Sequence, residues 1–196
     1  MIFQQTHDWV LASTSPRRSD ILKNYGFKFE VISPNFVEAQ PINPDISQEL
    51  INLAQGKGTS VINQCPIGSI IIAADTVVVW NNQVLGKPQN KQKHFETLTK
   101  LAGDKHDVFT AYFVHNTSSG EKFSKIKKTE VIFKDFPEHI LKKYVETEEG
   151  EDKAGGYGIQ GLGTFLVDHL VGSYNNVIGF PIEDFIENML KKNWLI

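Results

Sequence analysis

Asp75 stands in the stretch SIIIAADTVVVW, Ser69 to Trp80, where β-branched and other apolar residues flank it on both sides. An ionised carboxylate in such a run is expensive unless it is paired, hydrogen-bonded or bound to a metal. Its role therefore stands open between a structural carboxylate, a general base and a metal ligand. Arg17 and Arg18 follow Ser15 and Pro16 in LASTSPRRSDIL, a cap and first helical residue, so both cations fall in the first turn of a helix. The N–H groups there act as roughly half a positive charge, and a cation nearby loses about 0.3–1 kcal/mol. A bound polyphosphate reverses that sign, because helix amino termini and arginines both suit phosphate oxygens. Taken alone, such a pair is ordinarily solvated or paired with surface carboxylates.

Company changes the balance. Lys57 in AQGKG, Lys87 in LGKP and Lys153 in EDKAGGYG each sit beside glycines, where backbone can approach a ligand closely. Each lysine separately is more often a solvated surface residue, and together with Arg17, Arg18 and Asp75 they suggest a phosphate pocket. Glu38, in PNFVEAQP, is a second carboxylate that could share a divalent cation with Asp75, since Mg²⁺ takes one or two carboxylates plus phosphate and water.

Alternating strands and helices must carry these residues. Trp9–Ala12 is a short strand leading into the helix that Ser15 and Pro16 open and Gly26 stops. Phe27–Ile32 follows as a strand, and Asp45 with Gln48 makes a capping-box pattern ahead of a helix whose Ile46, Leu50 and Leu53 share a face and whose end Gly56 and Gly58 weaken. Ser69–Trp80, apolar on both faces, is a central strand. A helix from Asn90 to Leu101 presents Phe95, Leu98 and Leu101 on one side, Val108–Val114 alternates as a strand, and NTSSGE is a turn. Thr129–Phe133 is a strand, Pro137 begins a helix ending near Val145, and Thr164–Leu170 is a strand after a glycine-rich loop. Pro181 opens the last helix, whose Glu183 and Asp184 at the start and Lys191 and Lys192 at the end obey the dipole rule that Arg17 and Arg18 break. Without repeat, low-complexity tract or linker, this alternation implies a single α/β domain over residues 1–196, a mixed central sheet with flanking helices.

A chain of 196 residues, 40% hydrophobic and 22% charged, is expected to bury a sizeable core as a soluble protein. Its formal net charge of −3 argues against broad electrostatic binding to nucleic acid or an anionic membrane, so any anion site is local. The one cysteine, Cys65, has no internal disulfide partner, and MIFQQTHDW lacks the basic and apolar regions of a signal peptide, which together imply a cytoplasmic setting. The longest apolar run, Ile70–Trp80, is interrupted by Asp75 and too short to span a bilayer.

Some patterns are set aside. GYGIQG, Gly156 to Gly161, matches G-x-G-x-x-G but precedes a strand instead of joining a strand to a helix, so it is not a dinucleotide site, and no other kinase motif accompanies it. His106 beside Asp107 lacks metal-ligand spacing, and Cys65 next to Pro66 has no catalytic context.

STSPRR (Ser13 to Arg18), AADTVV (Ala73 to Val78), LGKP (Leu85 to Pro88), DKAGGYGIQG (Asp152 to Gly161) and GSYNNVIGFP (Gly172 to Pro181), in this order nearly end to end, resemble the Maf family of nucleoside triphosphate pyrophosphatases. The resemblance implies a fold related to the inosine triphosphate pyrophosphatases with a deep cleft, a homodimer, and metal-dependent hydrolysis of a nucleoside triphosphate to the monophosphate and pyrophosphate. SPRR, ADT and YGIQG resemble the branch acting on dTTP and UTP; the alternatives are the sister branch acting on 7-methyl-GTP and a non-enzymatic regulator of septum formation. By this match Asp75 takes the proton-acceptor position, and Arg17, Thr76 and Gln160 take positions associated with substrate choice. Ser13 joins the substrate-binding set, while Arg18, Lys57, Lys87 and Lys153 are expected on the triphosphate and Glu38 with Asp75 on Mg²⁺ or Mn²⁺. Gln160 offers both a donor and an acceptor, matching the edge of uracil or thymine. Gly156 and Gly58 stand where the family usually has alanine, and Gly150 where proline is frequent; the expectation is that these segments gain flexibility.

Overall fold

The computed structural model describes residues 2–36 and 46–196, so Glu38 and Asp45 lie outside the described residues. Seven strands, β1 (Trp9–Ala12), β2 (Glu30–Ile32), β3 (Ile70–Trp80), β4 (Gln83–Leu85), β5 (Lys105–Asn116), β6 (Lys122–Phe133) and β7 (Val167–Val171), form a sheet in the order β2-β1-β3-β5-β6-β7, with β4 on β3. β1 runs parallel to β2 and β3, whereas β3 with β4 and β6 with β7 are antiparallel, so the sheet is mixed as expected. The helices are α1 (Pro16–Asn24), α2 (Ile46–Thr59), α3 (Lys91–Leu101), α4 (Glu138–Glu146), α5 (Tyr174–Ile178) and α6 (Ile182–Lys191). None of the described helices is long and apolar enough to cross a membrane.

Differences from the sequence expectation have local causes. Phe27 is not in β2; it turns inward to pack on Trp9, ring centroids 4.7 Å apart, and pairing begins only at Glu30. β6 starts at Lys122, well before Thr129, since KFSKIKK is a polar, largely exposed segment whose strand character comes from pairing and not from apolarity. β4 and the short α5 are unanticipated. Asn81 and Asn82, with φ of 46° and 61°, make the two-residue turn that sets Trp80 opposite Gln83. Positive φ at both central residues is what a type I′ hairpin requires, and asparagine tolerates it.

The chain divides into two compact units, one comprising Met1–Asp75, Thr110–Lys127 and Gly179–Ile196, the other Thr76–Phe109 and Lys128–Ile178. In the first, Val10, Ala12, Val61, Ile71 and Ala73 form a core cluster against which Ile32, Ile62 and Cys65 pack. Cys65 is a packing residue as its sequence context suggests, and burial pushes its thiol pKa up. A second set joins Trp9 edge-on to Phe185 at 5.5 Å and Phe185 to Phe180 at 5.1 Å. Asp184, in the first turn of α6, accepts from the buried Tyr112 hydroxyl at 2.7 Å and pairs with Lys127 at 2.6 Å. The acid that suits the helix dipole thus also ties α6 to β5 and β6.

In the second unit the Trp80 indole donates to Asp104 at 2.8 Å. His106 lies in a core of rings, its Nε2 2.8 Å from the Tyr157 hydroxyl and its ring edge-on to Phe133 at 4.9 Å. Only 3% of it is exposed, and burial pushes its pKa down to about 4 from an ordinary 6.5. The unfolded imidazole takes a proton near pH 6.5 and the folded one only near 4, so stability present above pH 6.5 is lost as pH falls toward 4. A shift of that size is worth about 3 kcal/mol. Urea unfolding at pH 7 and pH 4.5 should show this loss in the wild type, and His106→Phe should remove most of the pH-dependent part.

Candidate active site

The register of β1 on β3, with Trp9, Val10 and Leu11 beside Ile70, Ile71 and Ile72, brings the end of β1 to the same side of the sheet as Asp75. Carboxyl ends of parallel strands are where open α/β sheets bind ligands. Side chains alternate along a strand, so Asp75 continues the face of Ile71 and Ala73, which belongs to the core cluster containing Val61. α2 lies on that face at close range. A Cβ on Gly58 would come within 2.4 Å of the Phe113 ring and 3.4 Å of the Ala73 Cβ, so no side chain fits between helix and strand. This approach lets Lys57, in the last turn of α2, reach Asp75 Oδ1 at 2.6 Å, the two side chains being 7% and 14% exposed. Lys57, a candidate for the triphosphate, has the Asp75 carboxylate as a partner.

At the start of α1, Pro16 occupies the first turn as its ring dictates, but Ser15 makes no side-chain cap. Ser13 does the work instead, its Oγ accepting from the Ser15 N–H at 3.1 Å and from the Arg18 guanidinium at 3.4 Å. Arg18 is buried, 9% exposed, and its Nε donates to the Gly179 carbonyl at 3.0 Å. The cation on the wrong end of the dipole is therefore held by a backbone acceptor from GSYNNVIGFP, neither solvated nor dependent on a surface carboxylate alone. Arg17 is half-buried beside it. The first unit thus brings Ser13 to Arg18 and Lys57 to Asp75.

The second unit holds Thr76, Lys87, Lys153 and Gln160. Thr76 is half-buried on β3, and Lys87 and Gln160 are exposed. Lys153 is half-buried, its ammonium donating to the Glu149 carbonyl and to the Asp152 carboxylate. Three motifs meet here, for the Gly155 N–H donates to the Gly86 carbonyl at 3.2 Å and a Cβ on Gly155 would lie 3.1 Å from Val78. Gly150 and Gly156 are not points of slack. A Cβ on Gly150 would fall 2.0 Å from the Gly156 carbonyl, one on Gly156 would meet the His94 ring at 2.7 Å, and His94 Nε2 donates to that carbonyl. Their smallness answers a steric demand, as does that of Gly58, and not a need for flexibility.

Among the described residues no group of three or more His, Cys, Asp or Glu side chains converges as a metal cage. Asp75 still fits a cation that arrives with a nucleotide, because Mg²⁺ completed by phosphate oxygens and water needs only one or two carboxylates. Two contributors escaped the sequence reading. Gly179 acts through a carbonyl, which no residue type signals. Glu149 takes its carboxylate to the amides of Leu162 and Gly163, and the signal for it was a loop rich in glycine whose N–H groups need an acceptor.

Gly58→Ala tests the helix approach. Alanine in place of glycine favours a helix by up to about 1 kcal/mol, but overpacking a buried ring costs about 1–3 kcal/mol. Phe113 is 2% exposed and has no room to yield. Gly58→Ala should lower stability in urea unfolding, and Phe113→Leu added to it should recover part of the loss, a coupling that two independent sites would not show.

The chain matches the model of the family described as Maf-like protein over residues 8–192. A dTTP/UTP pyrophosphatase of Fusobacterium nucleatum subsp. nucleatum is 38% identical over 187 residues, 95% of this chain and 96% of the relative. Another of that name, from Alkaliphilus metalliredigens, is 41% identical over 173 residues, 88% of this chain and 90% of the relative. The solved nucleoside-triphosphatase / dITP/XTP pyrophosphatase of Mycobacterium abscessus aligns at 12% identity with a TM-score of 0.42, covering 95% of each chain. With its five motifs in order and the family model spanning nearly its whole length, this chain belongs to the Maf family.

Proposed function

We propose that the chain hydrolyses dTTP and UTP between the α and β phosphates, releasing pyrophosphate and the nucleoside monophosphate. The observation that carries this is the Lys57–Asp75 pair, 2.6 Å apart, its carboxylate on β3 past the last pair with β1; the choice of substrate follows relatives named dTTP/UTP pyrophosphatases. Asp75 accepts the proton of the water that attacks the α-phosphorus, and Lys57 holds that carboxylate in place. Arg18, fixed by Ser13 and Gly179, brings a rigid positive charge to the start of α1, where the helix end adds to it. Lys87 and Lys153 contribute charge toward the phosphates, Arg17 and Thr76 act in substrate choice, and Gln160 offers its amide to the pyrimidine edge. A divalent cation held by Asp75 with Glu38 would neutralise phosphate charge and acidify water. The same reading includes a homodimer working in the cytoplasm without stable binding to nucleic acid.

Incubation with a panel of triphosphates and Mg²⁺ or Mn²⁺, followed by separation of products, should give pyrophosphate and monophosphate from dTTP and UTP; orthophosphate and diphosphate would overturn the reaction, and a preference for 7-methyl-GTP the substrate. Loss of a general base costs about 10²- to 10⁴-fold. Asp75→Asn keeps an oxygen for Lys57, so turnover should fall by that order while a near-native melting curve shows the fold retained; full activity would remove Asp75 from the reaction.

A further inference from the structure

Gln160 carries an amide, and an amide turned over satisfies a donor–acceptor edge of either polarity. It selects uracil or thymine over cytosine only from a fixed place against the base edge, which the main chain of its loop must supply. Its own side chain is exposed, and the surrounding loop is ordered from elsewhere. Glu149, just beyond α4, turns its carboxylate back into that loop: Oε2 accepts from the Leu162 N–H at 2.7 Å and Oε1 from the Gly163 N–H at 2.9 Å. Oε1 also accepts from the Tyr144 hydroxyl at 3.2 Å, and that hydroxyl accepts from the Gly158 N–H at 3.1 Å. The three amides so held lie on both sides of Gln160. A Cβ on Gly161 would sit 2.7 Å from Glu149 Oε2, so the loop closes around the carboxylate with nothing between. The main-chain carbonyl of the same residue receives the Lys153 ammonium.

We propose that Glu149 is a positioning residue for base selection: its carboxylate sets the 158–163 loop and with it the place from which Gln160 presents its amide to the base. This rests on the proposed pyrimidine triphosphate hydrolysis and on the part of Gln160 in it. Charge-assisted bonds to backbone amides are strong anchors, and Glu149→Gln turns one acceptor oxygen into a donor facing an N–H. The same substitution weakens the link through the Tyr144 hydroxyl to the Gly158 N–H.

The test compares wild type, Glu149→Gln, Glu149→Ala and Gln160→Ala with UTP and CTP, and follows amide hydrogen exchange without nucleotide. The expected result is a fall of about tenfold or more in the UTP-to-CTP ratio of kcat/KM for both Glu149 variants, as for Gln160→Ala, on the scale that a mispaired polar edge produces. The loss should appear in KM for UTP more than in kcat, with faster exchange at the Leu162 and Gly163 amides. A merely structural role would reduce the active fraction and scale both nucleotides alike, so an unchanged ratio in the Glu149 variants, with a changed one in Gln160→Ala, overturns this proposal alone. An unchanged ratio in Gln160→Ala, or no turnover of either nucleotide by the wild type, overturns the underlying assignment and this proposal with it. Because the ratio does not depend on how much protein is folded, partial unfolding of either variant does not blur the outcome.

Discussion

The ion pair between Lys57 and Asp75 is the constraint around which the first unit is arranged. A carboxylate in an apolar strand demands a partner, and the partner stands 2.6 Å away on a different element. For the ammonium to reach that far, α2 must lie almost in contact with β3. For α2 to lie there, residue 58 must lack a side chain, because the Phe113 ring occupies the space. The same approach is supported by the buried Ile46, Leu50, Leu53 and Ala54 of α2. Replacing a pair of this kind by well-packed hydrophobic residues is often neutral or stabilising, so stability does not account for it.

Arg18 repeats the argument by different means. The first turn of α6 takes Glu183 and Asp184, the residues a helix start favours, while the first turn of α1 takes two arginines. The unfavourable dipole is met by the Gly179 carbonyl and the Ser13 hydroxyl, which hold the guanidinium with its ring of donors fixed in direction. A guanidinium 9% exposed and held by two acceptors against the local field is fixed in place. Of the two departures from the usual rules in this unit, Arg18 follows the end of β1 and Asp75 lies within β3, past its last pair with β1.

Much of this was legible before any coordinates. Trp9–Ala12, the helix opened by Pro16, the central strand around Asp75 and the final helix from Pro181 follow from burial patterns and punctuation residues, and the structure has them. What escaped were features decided by strand pairing and turn geometry, which an apolar pattern does not report. The first half of β6 is polar and becomes a strand through its neighbours. β4 depended on reading Asn81-Asn82 as a hairpin turn. The residues of the candidate site were legible as a set because cations, glycines and one carboxylate are conspicuous by type. Their pairing was not: Lys57 is 18 residues from Asp75 and Arg18 is 161 from Gly179, and composition says nothing about which cation meets which acceptor.

The glycines show why type alone misleads. At positions 58, 150 and 156 a reader expecting a side chain infers slack, since glycine loosens an unfolded chain and a helix alike. In the folded chain each faces something that admits no carbon atom: the Phe113 ring at 58, the Gly156 carbonyl at 150 and the His94 ring at 156. Gly150, Gly156 and His94 make one interlocked group, because the imidazole that fills the space beside Gly156 also donates to its carbonyl. Small and large residues here are complementary halves of a filled volume, and tight packing leaves neither half free to change alone. Gly58, Gly150 and Gly156 are therefore evidence about their neighbours' size before they are evidence about motion.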